Sequence, residues 1–204
     1  MTDDTVRATP TLDDRLRSAA GGITGPIALA LARLNIHPNA LTIVGFALNA
    51  VAGLIAASGR LVGAGVLMLF ASAMDGFDGA LARASGKQSR FGAFLDSSLD
   101  RLSEGAVLLG LLWWAITEGR PLTAELLGLF LLGSVMVSYT RARAEGVGYA
   151  CKVGLLTRPV RVALLGLGML TPWLRPILMV VVVLTWFTVV QRMVHVYGAS
   201  QREP

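Results

Sequence analysis

Four aspartates interrupt apolar stretches of this sequence. Asp75 and Asp78 stand near the end of the apolar run 61–82, and Asp96 and Asp100 stand near the start of the run 91–117. A carboxylate inside a bilayer costs ~2.5–3.5 kcal/mol and by default marks a functional site. On helices, separations of three and four residues place each pair on one face. The pattern therefore predicts a carboxylate site.

These carboxylates are suited to hard divalent metal ions. Four of them in a medium of low dielectric constant need a compensating positive charge. Oxygen donors favour Mg²⁺ or Mn²⁺, and the absence of a neighbouring His or Cys argues against zinc. Gly76, Gly79 and Gly92 allow a ligand close to the backbone, and Arg83 could pair with a phosphate. We expect two Mg²⁺ or Mn²⁺ ions flanking a phosphoryl group, held by Asp75, Asp78, Asp96 and Asp100.

The elements that position the aspartates read as membrane helices. The 204-residue chain is 54% hydrophobic and 15% charged, with a mean hydropathy of +0.63. A soluble domain is usually about 25% charged, so lipid is the simplest solvent for this surface. Since a span needs ~20 residues, we predict an all-α integral membrane protein with six transmembrane helices. The predicted spans are 38–58, 61–82, 91–117, 121–143, 158–172 and 174–196.

The basic residues orient these spans. Of the 18 Lys and Arg residues, fourteen fall on the side of both termini, three on the other side, and Arg101 inside the third span. The positive-inside rule then places both termini in the cytoplasm, and the prokaryotic plasma membrane is the expected location. Leu12, Leu16 and Ile23 begin a helical repeat that predicts an N-terminal interfacial amphipathic helix. The predicted units are an arm with this helix (1–36), a catalytic membrane domain (37–197) and a cytosolic tail (198–204).

Two other classes of protein fit less well. A transporter or channel would distribute its acids across the membrane depth, whereas these four lie toward one face. The net charge of +5 also suits nucleic acid, but the interleaving of aromatic and basic residues expected of that surface is absent, so no nucleic-acid partner is expected. Membrane lipids are the expected surroundings.

The residues around the aspartates resemble a known signature. The stretch Asp75-Gly-Phe-Asp78-Gly79-Ala80-Leu81-Ala82-Arg83, followed by Gly92, Asp96 and Asp100, matches every position of the CDP-alcohol phosphotransferase signature over 26 residues. The chain is thereby identified as a member of that family, whose six-span layout also agrees. The resemblance implies an enzyme in which an acceptor hydroxyl attacks the lipid-side phosphate of CDP-diacylglycerol or a CDP-linked ether lipid and releases CMP.

The resemblance also implies a role for each residue. Asp75, Asp78 and Asp96 would bind the metals, and Asp100 would complete the second metal site and act as general base. The CDP-lipid would contact Asn39, Thr42, Gly79, Arg83, Ser89 and Gly92. From the residues alone, Asn39 and Thr42 would also suit a helix cap. A homodimer is expected from the family.

The acceptor is predicted from a second basic cluster. Three arginines from three helices facing the aspartates would hold a phosphate dianion, which favours a phosphorylated polyol. Four segments resemble the phosphatidylinositol-phosphate synthase branch: Ser89-Arg-Phe-Gly, 110–114, 138–145 and 190–192. The resemblance implies that Arg141, Arg158 and Arg192 would bind the phosphate of inositol 1-phosphate. The loop 156–161 departs from that branch, whose members carry glutamates beside each arginine. Glycerol 3-phosphate is therefore the alternative acceptor.

Overall fold

The computed structural model describes residues 36–202, and in that range it is all-helical, without a strand. This confirms the predicted helical class; the predicted interfacial helix lies outside the described residues. The six helices are α1 (Pro38–Ala57), α2 (Leu61–Ala84), α3 (Arg90–Thr117), α4 (Pro121–Gly146), α5 (Arg158–Leu170) and α6 (Leu174–Ser200).

Local sequence signals explain where the helices begin and turn. Proline stands in the first turn of α1, α4 and α5, where its missing N–H costs no hydrogen bond. At the start of α1 the cap is His37, whose Nδ1 accepts from the Asn39 amide at 3.2 Å, so Asn39 and Thr42 are not the cap. Ser89 caps α3 by accepting from the Gly92 amide at 2.9 Å.

The helices form a closed ring. The extensive contacts join α1 to α2 and α3, α2 to α5, α3 to α4, α4 to α6, and α5 to α6. The order around the ring is therefore α1, α2, α5, α6, α4, α3. Buried side chains fill it, among them Leu111, Phe130, Leu165 and Leu178. Since α1 lies between α2 and α3, the two aspartate-bearing helices are not among the extensively packed pairs.

Glycines bring α1 and α3 into backbone contact. A Cβ on Gly110 would overlap the carbonyl of Gly53, and a Cβ on Gly53 would overlap the carbonyl of Ala106. Gly45, two turns earlier on α1, leaves room for the carboxylate of Asp75. The absence of side chains at these three positions sets how closely α1 approaches the aspartates.

Within residues 36–202, four helices, α1, α2, α4 and α6, are long and apolar enough to cross a membrane. Two of the six predicted spans differ from these. The 28 residues of α3 include four charged ones in the first half, Arg90, Asp96, Asp100 and Arg101, and Glu104 directly after the midpoint. With 13 residues, α5 is about 20 Å long, shorter than a ~30 Å hydrocarbon layer.

Candidate active site

The two aspartate pairs meet at one arginine. Arg158, the first residue of α5, places its Nη2 2.8 Å from Asp75 Oδ2 and 3.0 Å from Asp100 Oδ1. These carboxylates come from α2 and α3, so the guanidinium joins three helices. Asp75 and Asp100 are largely buried, with side chains 10% and 16% exposed. The structure thus brings one member of each predicted pair to a common cation.

Asp78 is fixed by α1. Its Oδ2 accepts a hydrogen bond of 2.8 Å from the Thr42 hydroxyl, and its Oδ1 accepts from the Gly79 amide. Thr42 and Asp78 are both buried. Thr42, predicted from the resemblance as a CDP-lipid contact, therefore also orients a predicted metal ligand.

A cavity of about 270 Å³ opens beside Asp78 and Asp96. It is lined by all six residues that the resemblance assigns to CDP-lipid binding, namely Asn39, Thr42, Gly79, Arg83, Ser89 and Gly92. Its remaining walls are Pro38, Ala82, Lys87, Gln88 and Ala93. One concave surface between α1, α2 and the start of α3 thus brings together residues up to 53 positions apart in the chain (39 to 92).

Gly92 keeps this cavity open at the start of α3. A Cβ added there would lie 3.0 Å from Ser89 Oγ and 3.2 Å from Asn39 Oδ1. Both neighbours line the cavity, and Ser89 is committed to the helix cap. A side chain at position 92 would therefore reduce the space in the cavity at the start of α3. Gly76, in contrast, has nothing within 4 Å of such a Cβ.

The carboxylates fit a divalent cation by their donor chemistry. Each supplies two carboxylate oxygens, and two of the four, Asp75 and Asp100, already share a cationic partner, Arg158. Among the described residues, no three His, Cys, Asp or Glu side chains are arranged to hold a metal ion as they stand. Around Asp75 and Asp100 the guanidinium supplies the compensating positive charge.

The three predicted acceptor arginines have different partners. Arg158 contacts the aspartates. Arg141 Nε pairs with Glu145 at 2.9 Å on an exposed turn of α4. Arg192 is buried on α6, where its Nε donates to the Val153 carbonyl at 3.0 Å and its Nη1 donates to the Val137 carbonyl. Each of the three guanidinium groups thus has its own protein partner.

One polar cluster beside the site was missed by the sequence analysis. Arg161 on α5 makes a two-pronged contact with Glu104 on α3: Nε to Oε1 at 2.9 Å and Nη2 to Oε2 at 2.9 Å. Ser134 on α4 donates to Glu104 Oε2 at 2.7 Å. A signal existed, since Glu104 follows Asp100 by four residues in the same apolar run.

A known family model matches most of the chain. The family model described as CDP-alcohol phosphatidyltransferase matches residues 35–196, and the chain belongs to that family. It is therefore a transferase of phospholipid biosynthesis.

Two similar proteins from different organisms are named as inositol phosphate lipid synthases. The chain is 38% identical to archaetidylinositol phosphate synthase of Pyrococcus horikoshii over 177 residues, 86% of this chain and 90% of the relative. It is 36% identical to phosphatidylinositol phosphate synthase of Mycobacteroides abscessus over 187 residues, 87% of this chain and 84% of the relative.

Solved structures agree with this. The crystal structure of Mycobacterium tuberculosis phosphatidylinositol phosphate synthase with CDP-DAG bound is similar with a TM-score of 0.79 and 35% identity, covering 86% of this chain and 94% of that one. The same enzyme in complex with manganese and citrate gives a TM-score of 0.80 at 34% identity, covering 85% and 88%.

Proposed function

We propose that the enzyme transfers the phosphatidyl group of CDP-diacylglycerol, or the equivalent group of a CDP-ether lipid, to inositol 1-phosphate and releases CMP. One observation carries the proposal: the Arg158 guanidinium lies 3.0 Å from a carboxylate oxygen of Asp100. An acceptor whose phosphate binds Arg158 would have its hydroxyls next to that carboxylate. The names of the relatives, including those of both inositol phosphate branches, support the same acceptor.

The reaction is a substitution at phosphorus. The acceptor hydroxyl oxygen forms a bond to the lipid-side phosphorus, while the bond from that phosphorus to the bridging oxygen breaks and CMP departs with this oxygen. Asp100 accepts the hydroxyl proton as the attack proceeds. The cavity lined by Asn39, Arg83 and Gly92 would hold the cytidine diphosphate part of the donor. This places the donor and the acceptor on opposite sides of the aspartates.

Divalent metal is part of this proposal. Asp75, Asp78, Asp96 and Asp100 would hold two Mg²⁺ or Mn²⁺ ions, which when bound supply positive charge to the phosphate oxygens. The manganese complex of the M. tuberculosis relative supports a divalent ion in this family. The Thr42 hydroxyl keeps Asp78 turned toward the cavity, and Arg158 would release Asp75 and Asp100 when the ions bind.

The arginines of α5 support an inositol phosphate acceptor despite the missing glutamates. In the loop 156–161 no acid stands beside either arginine, yet both guanidiniums are oriented by acids from other helices. Asp75 and Asp100 orient Arg158, and Glu104 orients Arg161. Arg158 also keeps one donor, its buried Nε, without a hydrogen-bond partner. An acceptor phosphate would satisfy that donor.

We further propose that all six helices lie in the membrane with both termini in the cytoplasm. The ring supports this, because α3 and α5 each pack between helices that are long and apolar enough to span. Labelling from either side tests it with single cysteines at Ser58 and Arg202 in a Cys151→Ala background. Labelling of both from the cytosolic side would contradict it. The homodimer implied by the resemblance is tested by light scattering of the protein in detergent.

The activity is tested by product identification. Purified protein is incubated with labelled CDP-diacylglycerol, Mg²⁺ or Mn²⁺, and either inositol 1-phosphate, free inositol or glycerol 3-phosphate. We expect CMP release and a phosphatidylinositol phosphate product with the first acceptor alone. A glycerophosphate product would move the enzyme to the phosphatidylglycerol phosphate branch. Absence of CMP release with every acceptor, metal and lipid donor would overturn the proposal.

A further inference from the structure

The Glu104–Arg161 ion pair lies in the interior of the helix ring. Both side chains are buried: Glu104 is 8% exposed and Arg161 2%. The contact is two-pronged, and Ser134 supplies a third hydrogen bond to the carboxylate. Both carboxylate oxygens of Glu104, and the two Arg161 nitrogens that face them, therefore have hydrogen-bond partners, as a buried ion pair requires.

This pair joins two helices that are not neighbours in the ring. Helices α3 and α5 are separated by α1 and α2 on one side and by α4 and α6 on the other, and they are not among the extensively packed pairs. Side chains therefore span the gap between them. On each helix the pair lies one turn beyond an active-site residue: Glu104 follows Asp100 by four residues, and Arg161 follows Arg158 by three.

Arg161 also holds the chain that leads into α5. Its Nη1 donates to the Leu156 carbonyl at 3.4 Å, and the Leu156 amide donates to Thr188 Oγ1 of α6 at 3.2 Å. Leu156 is two residues before Arg158. The turn that carries the catalytic-site arginine is thus fixed from the side of α3 and from the side of α6.

Stability alone accounts poorly for such a pair. Replacing a buried ion pair by apolar residues of similar size is often neutral or stabilising, because the cost of removing two charges from water rivals their attraction. What apolar side chains cannot reproduce is the fixed direction and spacing of a two-pronged contact between guanidinium and carboxylate. Here the contact between Glu104 and Arg161 lies one helical turn away from the contact between Asp100 and Arg158.

We propose that Glu104 and Arg161 are positioning residues, which set the depth and direction of the Arg158 guanidinium relative to Asp100. The pair aligns α5 with α3, so that a phosphate held by Arg158 presents its hydroxyl to the Asp100 carboxylate. This inference rests on the proposed role of Arg158 in acceptor binding. It assigns a function to two residues that touch neither substrate.

The test separates positioning from folding by removing both charges together. In the double variant Glu104→Met/Arg161→Met no buried charge is left unpaired, so the protein should fold with a thermal midpoint near that of the wild type. We expect the KM for inositol 1-phosphate to rise about tenfold, since a displacement of ~1 Å can cost up to 10²-fold in a reaction. The KM for CDP-diacylglycerol should stay within about twofold, because the donor cavity contains neither residue.

Two further variants serve as controls. Leu178→Ala, a buried apolar truncation on α6, lowers stability without touching the pair, and it should leave both KM values unchanged. Arg161→Lys keeps the positive charge but loses the two-pronged contact with Glu104. We therefore expect an acceptor KM between those of the wild type and the double variant. A selective rise in acceptor KM in Leu178→Ala would show that general destabilisation explains the effect.

The outcomes distinguish this inference from the proposed function. A folded double variant with a wild-type acceptor KM would overturn the positioning role, provided that Arg158→Gln raises the acceptor KM. If Arg158→Gln leaves the acceptor KM unchanged, the acceptor role of Arg158 fails, and the inference that rests on it fails too. An equal rise in the KM values of donor and acceptor in the double variant would also contradict selective positioning.

Discussion

The proposed donor side and the proposed acceptor side of the aspartates are built differently. On the donor side, a cavity of about 270 Å³ stands open between α1, α2 and α3, with small residues in its walls. On the acceptor side, each predicted arginine is engaged with a protein partner: Arg158 with Asp75 and Asp100, Arg141 with Glu145, and Arg192 with backbone carbonyls. The donor would enter a formed space, whereas the acceptor would have to exchange contacts.

This difference bears on affinity and on order. Exchanging one hydrogen bond for another yields a small net free energy. The binding free energy of the acceptor should therefore be smaller than three arginines would supply if they had no protein partners. Arg158 becomes available only when something else neutralises Asp75 and Asp100. We therefore expect metal and donor to bind before the acceptor. Substitutions on one side should weaken the binding of that side's substrate only.

The largest expected effect comes from Asp100, where the two sides meet. Asp100→Asn keeps the shape and removes the base, so turnover should fall about 10³-fold or more. Donor affinity, measured by calorimetric titration with CDP-diacylglycerol in detergent, should be largely retained, because Asp100 does not line the donor cavity. Loss of donor binding would mean that Asp100 is chiefly a metal ligand.

Arg158→Gln tests the acceptor side alone. A hydrogen bond to a charged group is worth ~1.5–3 kcal/mol, so the KM for the phosphorylated acceptor should rise about 10- to 100-fold. The KM for CDP-diacylglycerol should change much less. Steady-state kinetics with each substrate varied in turn measures both values. A larger effect on the donor would contradict the division into two sides.

Gly92→Ala tests the donor side alone. Its Cβ would meet Ser89 Oγ at 3.0 Å and Asn39 Oδ1 at 3.2 Å. Overpacking costs ~1–3 kcal/mol, and at the low end of that range the KM for CDP-diacylglycerol rises about fivefold. The acceptor KM should stay near the wild-type value. Gly128→Ala on α4, where a Cβ meets nothing within 4 Å, is the matched control and should change neither.

The smallest effect is expected from Glu145→Gln, which frees Arg141 from its exposed partner. Both side chains are about half exposed, at 49% and 48%. Such a pair is worth ~0.3–0.5 kcal/mol, so the acceptor KM should fall about twofold as Arg141 becomes available. Replicate kinetics beside Arg141→Gln resolve this change. If neither variant alters the acceptor KM, Arg141 is not part of the acceptor site.

The sequence predicts the positions of the helices well because helix starts depend on local information. The predicted spans begin within one residue of the observed helices, since proline, glycine and charged residues mark the starts. The ends of α4 and α6 lie three and four residues beyond the predicted ones, at Gly146 and Ser200, because the last helical turns are polar. The spacing within 75–100 identified residues that the structure brings together.

What the sequence does not predict depends on the ring. Whether Arg161 meets Glu104 depends on α5 facing α3 across the interior, and 57 residues separate the two in the chain. Likewise, the position of Arg192 in the sequence does not show that its guanidinium donates to carbonyls of α4 and of the 147–157 loop. Neither arrangement leaves a periodic trace in the sequence, since each pairs single residues from distant segments.

The shortness of α5 has a consequence for how water-soluble and lipid substrates meet. Its 13 residues pack beside the 27 of α6, and the two join directly at 171–173, so α5 begins only about halfway along its neighbour. The returning loop is held there by side chains of α6, with Thr188 bonded to the Leu156 amide and His195 to the Ala150 carbonyl. In the membrane arrangement proposed above, Arg158 at the start of α5 would therefore lie deeper in the lipid layer than the cytosolic end of α6. A site at that depth should make turnover depend on the thickness of the surrounding bilayer.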